Sequence, residues 1–291
     1  MKRVMVAGTP GAWSSETLAG ALRDLGTDSF VANTSELVHD LESGEVTRGG
    51  APLGQLDAVV VKKLGDAYDH STENRLLVLE EIERGGVTVF SSPRCMRDAV
   101  NRYRMSFLLR AAGLPMPRTR VTESTEAALS VVDEWGDVVL KPVFTSKGRG
   151  MVRLRSRSDA EPELAAWQMA SRGPMYLQEF VPNAGRDLAV AVLGDEVVGS
   201  YYRVAEAGEW MTTTSAGGHY EPAEITRDVQ TLALEAARVF GLAFTSVDMV
   251  ESDGGWLVYE VSAFGGFTGL RDACGVHGAA LYARYVMEML S

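Results

Sequence analysis

The stretch "FTSVDMVESDGGWLVYEVSAFGGF", residues 244–267, alternates apolar and polar residues on both sides of a turn signal. This alternation, interrupted by Asp253-Gly254-Gly255, predicts a β-hairpin, and a three-residue loop places Asp248 directly across from Glu260. Successive side chains of a strand point to opposite faces, so Ser262 projects on the same face as Glu260. The hairpin is therefore predicted to present two carboxylates and a hydroxyl on one face of a sheet.

Carboxylates that face each other on paired strands repel and destabilise the sheet, so something must offset their charge. A divalent cation with oxygen ligands does so, and Mg²⁺ commonly combines one or two carboxylates with substrate phosphates. The alternatives are that one carboxylate points to solvent, or that a basic residue pairs with them. A two-residue loop at Gly254-Gly255 would also shift the register by one and remove the facing. The hairpin alone leaves these alternatives open.

A second region suited to an anion is "VVLKPVFTSKGRGM", residues 138–151. Lys141 ends an apolar strand, and a glycine-rich turn follows, whose backbone N–H groups can bind phosphate oxygens. Ser146, Lys147 and Arg149 add further donors. The segment lacks the GxxxxGK[ST] pattern, and no GxGxxG follows the first strand of the chain. A plain hairpin is the alternative, but the metal-type hairpin downstream favours a phosphate site.

The distribution of charge supports an anion site. The chain has 291 residues, is 46% hydrophobic and carries a net charge of −11, which argues against a nucleic acid or an acidic membrane as partner. Two windows are nevertheless basic: residues 94–120 hold seven arginines and one acid, and residues 141–158 hold six basic residues and no acid. A solvated basic face explains either window alone, whereas two such windows in an acidic protein favour local binding of phosphate.

Cysteine content and hydropathy bear on the compartment. Cys95 and Cys274 are far apart and have no metal-type spacing, so we expect a reducing compartment rather than a disulfide framework. The opening "MKRVMVAG" is too short for the core of a signal peptide, and no later stretch is apolar enough to span a bilayer. We therefore expect a cytoplasmic protein with no membrane partner.

The order of predicted elements divides the chain into two parts. Strand, helix and strand alternate through residues 1–93, which predicts a small α/β domain with a parallel sheet. A basic helix over residues 99–113 follows. Beyond it most segments alternate like antiparallel strands, with one amphipathic helix over residues 225–241 that Thr226 is expected to cap. The second part is therefore predicted to be α+β.

Taken together, these segments resemble the ATP-grasp superfamily, and in particular the ligases related to the ribosomal-protein glutamate ligase RimK. "VVLKPVFTSKGRGM" resembles that family's strand, lysine and phosphate-covering loop, and "YLQEFV" resembles the hinge that holds adenine. "GRDLAVAVLGDEVVGSYYRV" is similar to the strand pair that supplies a ribose-side acid and a substrate-side arginine. "GEWMTTTSAGG" and "SVDMV…YEVSAFGGF" are similar to the segments that complete the metal site. The resemblance covers most of the chain.

The resemblance implies a fold and a reaction. The fold is an N-terminal α/β domain, residues 1–93, followed by an α+β ATP-grasp domain whose two subdomains, residues 94–175 and 176–291, grip Mg-ATP. The reaction is ATP-dependent ligation of a carboxylate to an amine: the carboxylate attacks the γ-phosphate, and the amine then displaces phosphate from the acyl phosphate. Both steps concentrate negative charge on phosphoryl oxygens, so positioning and electrostatics would supply the catalysis.

The same resemblance implies roles for individual residues. Arg203 and Lys141 are the expected catalytic residues, with Arg203 stabilising the acyl phosphate or the tetrahedral intermediate. Asp248, Glu260 and Ser262 would hold Mg²⁺, for which Mn²⁺ could substitute. The nucleotide would be bound on its phosphate, adenine and ribose sides by the following residues: Arg102, Lys141, Ser146, Lys147, Gly148, Gly150, Gln178, Glu179, Phe180, Val181 and Asp187.

Four positions depart from the family's pattern. Ser262 replaces the usual asparagine, and Arg102 replaces a lysine, which keeps the charge but changes its geometry. Ala189 and Thr213 stand where the RimK branch has arginine and asparagine. The last two positions are substrate-side contacts, so glutamate is not carried over as the amine. We expect an amino acid to be added to a small-molecule or peptide acceptor, and a homo-oligomer is compatible with the family.

Two other functions are compatible with the same residues. A non-catalytic sensor or scaffold would be stabilised by Mg-ATP, yet no acid–amine pair would trigger ADP formation. A phosphotransferase that stops at the phosphorylated product would release ADP with one substrate, whether or not an amine were added.

Overall fold

The computed structural model describes residues 1–65, 70–146, 148–214 and 217–291. Its first sheet, which we call the N-terminal sheet, is parallel and has the strand order β2-β1-β6-β7. A small antiparallel sheet of three short strands lies between β2 and β6 in the chain. The elements of this region are β1 (Arg3–Ala7), α1 (Trp13–Asp24), β2 (Asp28–Ala32), β3 (Leu37–His39), β4 (Val46–Arg48), β5 (Ala51–Pro52), β6 (Ala58–Val61), α2 (His70–Arg84) and β7 (Thr88–Phe90).

The central strands of the N-terminal sheet are buried on both faces, as is typical of parallel sheets covered by helices. Val4, Met5 and Val6 of β1 and Val59 and Val60 of β6 have no exposed surface. The unbroken apolar runs of β1 and β6 are the features from which the parallel sheet could be predicted. Strand β2 and the small sheet were not predicted, because their sequences mix polar and apolar residues and the strands of the small sheet are only two or three residues long.

The basic segment forms two helices rather than the single helix predicted over residues 99–113. Helix α3 (Pro93–Val100) ends at Asn101, and α4 (Arg102–Ala111) begins directly after it. Asn101 has extended backbone dihedrals, and its side chain caps α4 by accepting a hydrogen bond from the amide of Arg104 at 3.0 Å. Asparagine competes with the helix for backbone hydrogen bonds, which makes it a good cap and a poor interior residue. The break places Arg102 in the first turn of α4.

The central sheet has the strand order β10-β9-β11-β8 and carries two helices. Its apolar residues form a hydrophobic cluster of their own with α5 and α6, in which Leu140, Leu154 and Leu164 have no exposed surface. The elements are β8 (Thr119–Thr122), α5 (Thr125–Trp135), β9 (Val138–Lys141), β10 (Val152–Leu154), α6 (Arg157–Met169) and β11 (Met175–Glu179). Lys141 is the last residue of β9, as expected from the sequence.

The C-terminal sheet is antiparallel, with the order β14-β13-β12-β15-β16. One face packs against α7, whose N-cap is Thr226 as predicted, and whose buried residues include Val229, Ala233 and Phe240. The elements are β12 (Arg186–Leu193), β13 (Glu196–Val204), β14 (His219–Pro222), α7 (Arg227–Phe240), β15 (Phe244–Ser252), β16 (Gly255–Val261), α8 (Thr268–Cys274) and α9 (Gly278–Met289). Across the described ranges, no helix combines the length and the apolar character needed to cross a membrane.

The β15–β16 hairpin reaches the predicted pairing by a route that was not predicted. Its loop has two residues, Asp253 and Gly254, and not three, because Ser252 already pairs with Gly255. A regular ladder from that turn would misalign the expected pair. A β-bulge at Tyr259 shifts the register by one residue and brings Asp248 opposite Glu260. The predicted loop was therefore wrong, whereas the predicted facing of Asp248 and Glu260 is correct.

Candidate active site

A cleft of about 1000 Å³ lies where the three sheets meet. Twelve of the fifteen residues selected from the sequence line it: Arg102, Lys141, Ser146, Gly148, Gln178, Glu179, Phe180, Asp187, Arg203, Asp248, Glu260 and Ser262. Gly150 and Val181 do not line it, and Lys147 lies outside the described residues. Residues from distant parts of the chain thus converge on a single concave site, which is the usual location of a ligand.

The bulge in β16 gives the cleft two neighbouring side chains instead of one. In a regular strand adjacent side chains point to opposite faces, but Tyr259 and Glu260 both line the cleft. Ser262 follows them, and its amide donates to the carbonyl oxygen of Ser246 on β15 at 2.9 Å. This bond continues the strand pairing past the end of β16 and fixes the backbone that carries the hydroxyl.

A guanidinium group contacts each of the two facing carboxylates. Arg203 Nη1 lies 2.9 Å from Asp248 Oδ2, and its Nε donates to Asp187 Oδ1 at 3.0 Å, so that Arg203 bridges two acids. Arg102 Nη2 lies 3.1 Å from Glu260 Oε2. Of the alternatives left open by the hairpin, pairing with basic residues is therefore present. This pairing depends on Arg102 and Arg203, which lie outside the hairpin and cannot be predicted from its sequence pattern.

Burial works against the charged form of Asp248. The side chain is about 10% exposed, and its pKa is raised to about 6, first by burial and then by the neighbouring carboxylates, while Arg203 acts in the opposite direction. Ser246 Oγ donates to Asp248 Oδ1 at 3.2 Å. The oxygen-only donor set of Asp248, Glu260 and Ser262 suits Mg²⁺. Because no group of three or more His, Cys, Asp or Glu suited to a metal occurs within the described residues, water and phosphate oxygens would have to complete the coordination.

Lys141 lies on the side of the cleft formed by the central sheet. Its Nζ donates to Gln178 Oε1 at 2.5 Å and lies 5.0 Å from the centroid of the Tyr259 ring. Gln178 is held in turn, because its Nε2 donates at 3.1 Å to both Thr119 Oγ1 and the hydroxyl of Tyr176. Burial lowers the pKa of Lys141 to about 7, and the positive charge of Arg102 adds to this effect. Burial thus disfavours the charged form of Lys141, so an anion bound in the cleft would stabilise its ammonium.

The glycine-rich loop after β9 approaches the segment that precedes β14. Gly148 has φ +70, and a Cβ built there would lie 3.3 Å from Thr213 and 3.5 Å from the sulfur of Met211. Gly150 also has a positive φ, and its missing Cβ would face Pro142 at 3.2 Å. The loop therefore needs glycine for both conformation and space. Only Gly148 of the two lines the cleft.

The hinge after β11 forms another wall of the cleft. The Phe180 ring packs edge-on against Trp210 at 6.4 Å between centroids, and the Arg153 guanidinium lies 3.4 Å from the Phe180 ring centroid. Glu179 Oε1 lies 3.5 Å from Arg118 Nη1. Val181 is only 7% exposed and does not line the cleft, so its proposed contact with the nucleotide stays a prediction.

Several residues that line the cleft were not predicted from the sequence. They include Tyr259, Tyr201, Trp210 and Lys62. An aromatic residue in an alternating strand looks like a core residue, so Tyr201 and Tyr259 gave no distinct signal. Lys62 directly follows the apolar run of β6, and Lys63 follows Lys62. Both lysines line the cleft.

The fold and the site define the class of protein. A RimK domain ATP-grasp protein from Sphaerobacter thermophilus superposes with a TM-score of 0.79 over 97% of this chain and 98% of its own, at 21% identity. The ATP-grasp ligase PsnB, complexed with a minimal precursor, superposes with a TM-score of 0.78 over 100% of this chain and 99% of its own, at 22% identity. The architecture is that of ATP-grasp enzymes, and the expected fold class is confirmed.

Sequence similarity identifies the family. A sequence profile of the RimK-like ATP-grasp domain matches residues 99–286. The tetrahydromethanopterin:alpha-L-glutamate ligase of Methanosarcina acetivorans is 31% identical over an alignment of 329 positions, gaps included, that covers 100% of both chains. The chain belongs to the RimK-like ATP-grasp family. The prediction of an ATP-dependent ligase that forms an amide bond is confirmed at this level.

Proposed function

We propose that the protein joins the carboxylate of a small-molecule or peptide acceptor to the amino group of an amino acid, through an acyl phosphate and with release of ADP and phosphate. The observation that carries this proposal is the row of charged groups across the cleft. Lys141 lies on the central sheet, Asp248 and Glu260 face each other on the C-terminal sheet, and Arg102 contacts Glu260 between them, all lining one cavity. Such a row is complementary to a polyphosphate chain with a divalent cation.

The phosphates of ATP would bind along the central sheet. Lys141 and Arg102 provide two positive charges near each other, since the charge of Arg102 perturbs the pKa of Lys141. The loop at Ser146 and Gly148 would cover the phosphates with backbone N–H groups. Asp248, Glu260 and Ser262 would hold Mg²⁺, or Mn²⁺ in its place, and the cation would neutralise the charge on the β- and γ-phosphate oxygens.

Arg203 would act on the transferred group. Asp187 holds its guanidinium by two hydrogen bonds, of 3.0 and 2.5 Å, which leaves the group fixed in position beside Asp248. A fixed guanidinium next to the metal-side carboxylate can stabilise the oxygens of an acyl phosphate without moving. In the first step a carboxylate oxygen of the acceptor attacks the γ-phosphorus, and ADP leaves with the electron pair of the broken P–O bond.

In the second step the amine nitrogen attacks the acyl carbon. The tetrahedral intermediate expels inorganic phosphate, and the nitrogen loses a proton as the amide forms. No residue needs to be a strong base, because phosphate is a good leaving group and its oxygens can accept the proton. The contribution of the protein is to position the reactants and to balance charge, which is the pattern known for phosphoryl transfer.

The experiment is a measurement of ADP and phosphate release from Mg-ATP with a panel of carboxylic acids and amino acids. L-Glutamate is the first amino acid to test, because the relative from Methanosarcina acetivorans is named as an alpha-L-glutamate ligase. We expect release that requires both an acid and an amine, and hydroxylamine should trap the acyl phosphate as a hydroxamate. Release that needs one substrate and gives no hydroxamate would point to a phosphotransferase. Tight binding of Mg-ATP without release for any pair would contradict a ligase.

A further inference from the structure

The second binding site that the structure suggests lies at the edge of the N-terminal sheet. The chain leaves β1 on one side to form β2 and returns on the other side to form β6, so that β1 and β6 are neighbours at the point where the strand order reverses. In open parallel sheets, ligands bind at the carboxyl ends of the strands at such a switch point. Here the loop after β1 and the Lys62-Lys63 pair after β6 occupy that position.

This edge opens into the cleft described above. Ala12 and Ser14, which flank the start of α1, line the cleft together with Lys62 and Lys63. The amides of both lysines donate to the carbonyl oxygen of Ala7, at 2.8 and 3.1 Å, which fixes the backbone from which the two side chains extend. The first turn of α1 adds the partial positive charge of a helix N-terminus to the same edge.

Lys62 is buried against the loop that follows the metal-type hairpin. The residue as a whole is only 7% exposed. Its Nζ donates to the carbonyl oxygen of Gly265 and lies 4.2 Å from the centroid of the Phe267 ring. Gly265 is itself confined, since a Cβ there would lie 2.3 Å from the Phe244 ring. Gly265 follows Ser262 by three residues. The lysine pair is therefore connected to the reaction site through a short, closely packed loop.

The choice of residue type is informative. Only five of the 28 basic residues in the chain are lysines, and Lys62, Lys63 and Lys141 all line the cleft. An ammonium is a compact point charge with three donors, so it can bind a single carboxylate oxygen without the flat bidentate geometry that arginine favours. Asp272, a carboxylate that also lines the cleft, is paired with Arg271 at 2.6 Å. Among the described residues at this edge, Lys62 and Lys63 bring positive charge to the cleft.

We propose that Lys62 and Lys63, together with the start of α1, bind a second carboxylate that does not react, carried by one of the two substrates. The inference rests on the proposed function, because it concerns the same cleft. Phosphate is a less suitable occupant, because the groups proposed for the nucleotide phosphates lie around Lys141 on the central sheet and not on the N-terminal sheet. A carboxylate can come from a dicarboxylic acceptor or from the α-carboxylate of the incoming amino acid. In either case the substrate carries at least one anionic group besides the reacting atoms.

The test uses the full chain saturated with Mg-AMPPNP, and dissociation constants from NMR titration. Glutarate and butyrate form one matched pair, which differs by a carboxylate on the acceptor side. L-Glutamate and its α-amide form the second pair, which differs only in the α-carboxylate. Binding of the fully charged member should be about 10- to 100-fold tighter in one pair, the range for a hydrogen bond to a charged group. The pair that shows the preference identifies the source of the carboxylate.

Variants connect that preference to the lysines. Lys63→Ala should remove it, and Lys63→Arg should keep part of it. Lys62→Gln, which can still donate to the carbonyl oxygen of Gly265, should weaken it without loss of folding. Arg84→Ala, a change of an exposed cation of the same domain outside the cleft, should leave it intact. Equal binding within both pairs in the wild type, or a preference that survives both Lys63→Ala and Lys62→Gln, would overturn the proposal.

The two proposals can fail separately. If Mg-AMPPNP did not bind, the proposed function would be wrong, while the same probe pairs titrated without nucleotide would still test the lysine site. If Mg-AMPPNP bound normally to the wild type and to every lysine variant, but no preference appeared, only the second-carboxylate site would be rejected.

Discussion

The central sheet and the C-terminal sheet face the same cleft with opposite charge. The central sheet presents Lys141, whose pKa is lowered to about 7, and the C-terminal sheet presents Asp248, whose pKa is raised to about 6. Burial is the first cause of both shifts, and it disfavours the charged form on each side. Each side therefore gains from a ligand of the opposite sign. A nucleotide triphosphate with a divalent cation provides both signs, so we expect one molecule of Mg-ATP to bind between these two surfaces.

The largest effect is expected on the acidic side. Asp248→Asn and Glu260→Gln should each lower kcat by about 10²- to 10³-fold, the loss typical of one electrostatic group at a transition state. Folding should be preserved, because Arg203 keeps its bonds to Asp187 and Arg102 keeps its bond to the carbonyl oxygen of Pro142. The measurement is steady-state ADP release over a range of Mg²⁺ concentrations.

The matched control for these variants is Glu251→Gln. Glu251 lies on the same strand, β15, but is exposed at the far end of the hairpin. The Glu251→Gln variant should leave turnover unchanged. If Asp248→Asn were as active as this control, the assignment of the metal ligands would be wrong.

The basic side gives a prediction about protons. With a pKa of about 7, Lys141 is largely neutral at pH 8, and bound phosphates should raise that pKa. Binding of Mg-ATP at pH 8 should therefore take up close to one proton, whereas Asp248, with a pKa of about 6, is already ionised and contributes little. Calorimetry in buffers of different ionisation enthalpy measures the uptake.

Lys141→Arg separates charge from titration. Arginine remains charged throughout this pH range, so the variant should bind Mg-ATP without proton uptake. Identical uptake in the wild type and Lys141→Arg would show that another group titrates.

The lowered pKa of Lys141 also makes folding depend on pH. Between about pH 7 and 10.5, Lys141 holds a proton in the unfolded chain but not in the folded protein. The contribution of Lys141 therefore makes the ligand-free protein more stable as pH rises.

A smaller effect is expected at Ser262. Ser262→Ala should raise the Mg²⁺ concentration needed for half-maximal activity by about 10-fold, the lower end of the range for losing a group that supports a metal. Ser262→Asn, with a longer oxygen donor, should require no more Mg²⁺ than the wild type. If alanine and serine proved equivalent, the hydroxyl would have no part in the metal site.

The smallest effect concerns the glycine loop. Gly148→Ala places a side chain at φ +70 and 3.3 Å from Thr213, so the KM for ATP should rise several-fold while kcat changes little. Gly113→Ala is the control, because it has a similar φ of +75 and open space around it. Both variants should lose about 1–2 kcal/mol of stability from the left-handed conformation. A KM unchanged in Gly148→Ala would mean that the loop does not cover the nucleotide.

The parts of the site that lie in one segment could be predicted from that segment. Lys141 at the end of an apolar strand, the glycines after it, and the facing of Asp248 and Glu260 all follow from alternation and turn signals within about 25 residues. The hairpin also shows the limit of such reasoning. Its predicted loop was one residue too long, and the facing is correct only because the bulge at Tyr259 compensates. A bulge is decided by packing, and alternation does not reveal it.

The pairing of charges could not be predicted. Arg102 and Glu260 are 158 residues apart, and Arg203 contacts Asp187 and Asp248 across two strand pairs. The break at Asn101 also matters, because it turns one predicted helix into two and directs Arg102 to the cleft. Apolar residues on both sides of Asn101 fit one helical pattern, and only the preference of asparagine for helix caps points to a break there.

By itself, the sequence determined the fold class, the acid-bearing hairpin and the phosphate-type loop, because local alternation, turn residues and glycine positions depend on neighbours in the chain. Only the tertiary structure decided which charges meet. It paired the acids with Arg102 and Arg203, set Lys141 against Gln178, and brought Lys62 and Lys63 of the N-terminal sheet to the same cleft. The reason is physical: the electrostatic free energy of a buried group depends on distances in space, and residues far apart in sequence fix those distances only when the sheets pack together.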